Sequence, residues 1–123
     1  MKPAHTGWRK IRHSLTYARD GFAAIWRDEV SFRQEVYLGG AALLTLPFLP
    51  LSAIETVLSV AAISGIWLAE IVNSALEALA DRISDAPHAL LKKAKDLGAL
   101  LVLLAIINAV VIWAVILAAA VWR

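Results

Sequence analysis

At 123 residues, with 60% hydrophobic and 18% charged positions, the chain is long enough for one domain and too apolar for an ordinary soluble one. Twelve basic and ten acidic residues leave a net charge of +2, which does not make a nucleic-acid surface. The absence of cysteine excludes disulfides and thiolate metal sites.

The charges are segregated. Lys and Arg occupy positions 2, 9, 10, 12, 19, 27 and 33, then 82, 92, 93 and 95, then 123, and none lies between Arg33 and Arg82. Basic residues gathered at the flanks of apolar stretches belong at lipid headgroups and set membrane topology. The basic start is not followed by a short apolar core with a small-residue cleavage site, so no cleaved signal peptide is expected.

Met1 to Thr6 reads as a loose tail. From about 7 to 33, Trp8, Ile11, Leu15, Ala18, Phe22, Ile25, Trp26 and Val30 recur at helical spacing, opposite Arg9, Lys10, Arg12, Arg19, Asp20, Arg27 and Asp28. This predicts an amphipathic helix lying on the cytoplasmic headgroups, anchored by Trp8 and Trp26 and bent at Gly21. The alternative is a helix packed on the rest of the protein.

A first apolar span covers about 34–50 and is stopped by Pro47 and Pro50. Begun near Ser31 it reaches about 25 Å, enough for a thin or tilted crossing, with a re-entrant segment as the alternative. The second span covers about 54–82. A polar loop with Pro87 follows, and the third span covers about 96–122. The positive-inside rule puts the N-terminus and the 81–95 loop in the cytoplasm of a cell bounded by this inner membrane, and Arg123 outside. Ala61, Gly65 and Ala69, spaced by four, admit a close helix neighbour. Three thin helices enclose little polar chemistry, so an oligomer is expected.

A polar stripe breaks the apolar character of the second span. Glu70, Asn73, Glu77 and Asp81 fall on one side of a helix, and the intervening Ile71, Val72, Ala75, Leu76, Ala78 and Leu79 are apolar. Polar groups at such a place are costly and mark a functional site by default. Glu70 lies after about 24 Å of apolar helix, at the cytoplasmic lipid boundary, with Glu77 and Asp81 further out. Asp28 and Glu29 sit at the same level, and Lys92, Lys93, Lys95 and Asp96 return to it ahead of the third span.

Hard oxygen ligands beside Lys suit a magnesium–nucleotide complex. A carboxylate at the lipid boundary suits a general base for a lipid alcohol. The competing reading is that these charges pair with one another and hold protomers together. No Walker motif and no protein-kinase signature occurs, and His5, His13 and His88 lack metal-ligand spacing.

The run from Glu70 to Arg82, Glu-Ile-Val-Asn-Ser-Ala-Leu-Glu-Ala-Leu-Ala-Asp-Arg, closely resembles the signature of the prokaryotic diacylglycerol kinases. Two more blocks agree: Glu29 with Phe32-Arg33-Gln34-Glu35, and Ala94-Lys95-Asp96-Leu97-Gly98. The resemblance covers essentially the whole chain. It implies an all-α integral membrane homotrimer, each protomer carrying a surface helix and three transmembrane helices, with active sites shared between protomers. It implies transfer of the γ-phosphoryl of MgATP to the primary hydroxyl of a diacylglycerol drawn from the bilayer, giving phosphatidate.

Carried over by position, the resemblance makes Glu70 the catalytic base and gives Asn73 the task of holding the reaction centre. Glu29 and Glu77 are implied magnesium ligands, and Tyr17, His88, Lys95, Asp96 and Lys10 implied nucleotide contacts. Trp26, Arg33, Gln34, Glu35 and Trp113, with Glu70, are implied to meet or position the lipid. Lys10 stands where family members usually carry Arg, which loses the bidentate fork. Ala99 replaces a family Ser, and the turn from Pro47 to Pro50 is unlike the family. Two other functions remain open at this point: an undecaprenol kinase of the same family, which Ser74 and Arg82 disfavour by analogy, and a non-enzymatic scaffold that binds headgroups.

Overall fold

The computed structural model of the chain describes residues 6–123, so all but Thr6 of the tail expected over Met1 to Thr6 lies outside the described residues. The structure is all-helical. Helices α1 (Trp8–Asp28) and α2 (Val30–Thr45) meet at Glu29; a 3-10 turn (Leu46–Phe48) leads to α3 (Ala53–Ile83) and α4 (Ala89–Trp122).

The helix expected over 7–33 is two helices. Glu29 takes an extended conformation, φ −115° and ψ 102°, although neither Gly nor Pro is present to break the run. The elbow is fixed by contacts distant in sequence. The Arg33 guanidinium turns back and donates to the carbonyls of Trp26 and Arg27, two of the acceptors that the end of α1 leaves without helical partners. Phe32, 3% exposed, is the hub of an aromatic cluster. It meets Phe22 and Trp26 edge-on at 6.3 and 6.4 Å, while Trp26 stacks on Phe22 and meets Tyr37. Arg33 and Phe32 therefore belong to α2 and cap α1, not to one continuous surface helix.

Helix α2 crosses α3 where Gly39 faces Ile63 and Trp67; a Cβ at Gly39 would lie 2.8 Å from the Ile63 side chain. The Trp67 indole donates to the Glu35 carbonyl at 3.1 Å, tying the same crossing. Pro47 sits in the 3-10 turn that ends α2, where a missing N–H costs nothing.

Helix α3 starts with a capping box. The Ser52 hydroxyl accepts from the Glu55 N–H at 3.1 Å and the Glu55 carboxylate accepts from the Ser52 N–H at 3.0 Å. Helices α3 and α4 form a long antiparallel hairpin, about 46 and 51 Å at 1.5 Å per residue. It is pinned at both ends. Arg123 donates to the Glu55 carboxylate at 2.8 Å and to the Pro50 carbonyl at 2.9 Å, and Trp113 donates to the Ser59 carbonyl at 3.2 Å. At the other end Lys95 donates to Asp81 at 2.5 Å. Helix α4 begins at Ala89, ahead of the apolar span expected from 96, because His88 caps it by accepting the Leu90 N–H at 3.1 Å.

Helices α3 and α4 are each long and apolar enough to cross a membrane. Helix α2 is shorter, 16 residues before the 3-10 turn. Among the described residues the outward faces are densely apolar: Leu68, Ile71, Val72 and Leu79 on α3, and Leu103, Leu104, Val110 and Val111 on α4, are exposed on the single chain. A surface of this kind is stable only against lipid or protein.

Candidate active site

The polar stripe of α3 faces α4 and α2. Glu70 is 8% exposed, among the very few polar residues buried within the described chain. The carboxyl of Glu35, from α2, lies beside it. One oxygen of Glu35 is buried without a hydrogen-bond partner among the described residues.

One turn along, Asn73 donates from its amide nitrogen to Glu77 at a long 3.4 Å. Its amide oxygen is buried and has no hydrogen-bond partner among the described residues. That oxygen is pressed against Gly98 of α4, where any side chain would overlap it. Gly98 is thus the seat of Asn73. Gly98→Ala is expected to push the amide aside, cost about 1–3 kcal/mol of stability and lower turnover. Gly40→Ala, at a glycine with nothing within 4 Å, serves as the neutral control. Thermal unfolding and turnover in detergent check both.

Further along the stripe, Asp81 is paired with Lys95 at 2.5 Å and leads into a cavity of about 570 Å³ at the α3–α4 loop. Ser84, Asp85, His88, Lys92, Lys95 and Asp96 are among its lining residues, and Lys92 pairs with Asp96 at 2.6 Å. Three expected nucleotide contacts, His88, Lys95 and Asp96, are therefore together in one open, charged cavity. The Lys95 ammonium is held above its ordinary pKa by its hydrogen bond and charge pairing with Asp81.

The remaining candidates are elsewhere. Glu29 and Asp28 line the end of a mainly apolar groove of about 540 Å³ between α1 and α3, with Phe22, Ile25, Ser74 and Ala78. Its α3 wall is the face next to that of Glu77. Asp28 is occupied by Arg27 at 2.8 Å, which holds its carboxyl below the usual range, whereas Glu29 has no ion pair among the described residues. Among the described residues no three His, Asp or Glu side chains of one chain gather to hold a metal. Tyr17 and Lys10 are exposed on α1 and line neither of these cavities. Trp26 and Arg33 build the elbow, Gln34 is exposed, and Trp113 is bonded to the α3 backbone.

Sequence reasoning placed Lys92 in the basic patch but did not anticipate Gly98 as the seat of Asn73, the Asp81–Lys95 pair, or Ser84 and Asp85 around the loop cavity. Asp81 had the signal of its place on the stripe. Gly98 had only its place in the Ala94–Gly98 block.

A family model described as prokaryotic diacylglycerol kinase matches residues 16–117. Over 112 residues the chain is 38% identical to the diacylglycerol kinase of Escherichia coli (strain K12), covering 91% of this chain and 92% of that one. It is 37% identical over 112 residues to the diacylglycerol kinase of Pseudomonas aeruginosa, covering 91% of each. To the enzyme of Haemophilus influenzae it is 30% identical, covering 91% of this chain and 95% of that one.

Proposed function

Because the chain belongs to the prokaryotic diacylglycerol kinase family, and is a helical membrane enzyme that phosphorylates diacylglycerol with ATP, we propose that its reaction runs along the stripe from Glu70 to Asp81. The supporting observation is continuity. A buried carboxylate, Glu70, shares one side of α3 with the Asn73–Glu77 contact and, further along, with the Asp81–Lys95 pair and the open loop cavity. Lipid and nucleotide approach such a line from opposite ends.

In this reading ATP enters through the loop cavity past Lys95 and His88, and its γ-phosphoryl extends along the stripe toward Glu70. The diacylglycerol hydroxyl reaches Glu70 from the bilayer. Its proton passes to Glu70 as its oxygen forms a bond to the γ-phosphorus, and the bond between that phosphorus and the β–γ bridging oxygen breaks to release ADP. Asn73 orients the carboxylates on either side, and Glu35 receives or returns the proton beside Glu70.

The donors proposed for magnesium are hard oxygens, the carboxylates of Glu77 and Glu29, which lie on different elements and do not gather within one chain among the described residues. Their chemistry suits that ion, with phosphate oxygens completing its shell. Glu29 and Glu77 are the residues to hold it, and its chemistry when bound is to offset charge on the transferring phosphoryl group.

The chain is read as three crossings, α2 with its 3-10 turn, α3 and α4, with α1 on the cytoplasmic surface of the bacterial inner membrane and the N-terminus inside. It is read as a homotrimer with shared sites. Support comes from the uncovered apolar faces and from Tyr17, Lys10 and Glu29, which the single chain leaves apart from the loop cavity. The test is transfer of labelled phosphate from ATP to diacylglycerol and to undecaprenol in mixed micelles. Transfer to diacylglycerol is expected; transfer to undecaprenol alone selects the polyprenol reaction, and transfer to neither by folded protein leaves a headgroup-binding scaffold.

A further inference from the structure

We propose that Arg9 and Arg12, with Thr16 one turn further along α1, form a site for the phosphomonoester headgroup of phosphatidate in the bilayer. The proposal rests on the reading of α1 as a membrane-surface helix and goes beyond the reaction. Arg9, Arg12, His13 and Thr16 surround a polar concavity of about 300 Å³. At about 100° per residue Arg9, Arg12, Thr16 and Arg19 share one flank of α1, beside the edge of its apolar face, while Lys10 and Tyr17 occupy the opposite flank. The reaction uses the second flank and leaves the first without a task. Arg9, Arg12 and His13 also fall outside the segment matched by the family, residues 16–117.

The chemistry of the flank selects its ligand. Neither Arg9 nor Arg12 forms an ion pair among the described residues, and Arg19 has only a 3.6 Å contact to Asp20 between exposed side chains. Two unpaired guanidinium groups one turn apart repel, and an anion placed between them relieves both. Each fork matches a pair of phosphate oxygens. A phosphomonoester offers three terminal oxygens and about −1.5 to −2 charges, whereas a phosphodiester headgroup offers two oxygens and a single charge. Thr16 donates its hydroxyl to the Arg12 carbonyl at 3.0 Å and can turn it to the ligand in exchange. Trp8, Ile11 and Leu15, exposed on the neighbouring face, set the concavity at headgroup depth once they enter the bilayer. The lipid made at the buried stripe is then held on the side of α1 turned away from the nucleotide contacts.

The experiment uses the full chain in phosphatidylcholine vesicles containing a minor fraction of phosphatidate or, at matched total charge, phosphatidylglycerol. Lipids retained by the protein are counted by native mass spectrometry, and turnover is measured separately in neutral micelles. Wild type is expected to retain phosphatidate over phosphatidylglycerol by at least about fivefold, and R9Q/R12Q to lose that preference with turnover unchanged. R9K/R12K, which keeps the charge without the forks, is expected to retain anionic lipid with little discrimination. Equal retention of both lipids by wild type, an unchanged preference in R9Q/R12Q, or displacement of the lipid by inorganic phosphate alone would overturn the proposal. Lost turnover in R9Q/R12Q would overturn it too, by moving these arginines into the reaction. Absence of turnover in wild type would instead count against the proposed reaction, with the retention assay still deciding the site.

Discussion

Glu70→Gln is expected to lower turnover by about 10²- to 10⁴-fold while nucleotide affinity stays near wild type, the loss typical of removing a general base. Glu70 is buried on the stripe, next to the Glu35 carboxyl and far along α3 from the loop that carries His88 and Lys95. Gln keeps the volume and the capacity to hydrogen-bond, so packing against α2 is preserved and the loss reports on proton transfer. Lys95→Ala provides the contrast. It removes a cation from the cavity proposed to take the nucleotide and frees Asp81, so nucleotide binding is expected to weaken together with turnover. Equilibrium binding of a nonhydrolysable ATP analogue, measured beside turnover for both variants, separates the two roles. Equal loss of binding in both would move Glu70 to the nucleotide and leave the base unassigned.

Glu77→Gln is expected to raise the magnesium requirement and reduce turnover by at least the roughly 10- to 100-fold that loss of a group merely supporting a metal ligand costs. The substitution leaves an oxygen able to accept from the Asn73 amide, so the contact that orients Asn73 survives. Glu77 is only partly buried, and its neutral replacement leaves no buried charge. A magnesium titration of turnover, with helical content followed by circular dichroism, checks this. Full activity at low magnesium in the variant would remove Glu77 from the ligand set.

The long features were legible because they are periodic. The α3–α4 hairpin follows from two uninterrupted apolar runs, and the stripe from a 3–4–4 spacing of polar residues that an apolar helix must explain. The break at Glu29 was hidden. Local sequence favours continuing the helix through Arg33, and what stops it is tertiary: the Arg33 side chain returning to the Trp26 and Arg27 carbonyls and Phe32 filling the aromatic cluster. Gly98 was hidden for a related reason. A glycine in an apolar helix announces a close approach without saying to what, and its partner is 25 positions earlier on another helix. The pairing of Lys95 with Asp81 and not with the stripe's other carboxylates depends on the rotation of α4 against α3, which spacing along one helix does not fix.

The elbow at Glu29 makes one carboxylate answerable to bilayer thickness. A single extended residue joins α1, proposed to lie in the headgroup plane, to α2, proposed to enter the hydrocarbon. Thinning or thickening the bilayer tilts α2 relative to that plane, at a cost of fractions of a kcal/mol per Å of mismatch. The aromatic wedge and the Arg33 strut resist the change in angle, so part of it is transmitted to the one residue between them. On that placement acyl-chain length acts on the height and aim of the Glu29 carboxylate proposed to hold magnesium, and the membrane that supplies the substrate also tunes the instrument that consumes it.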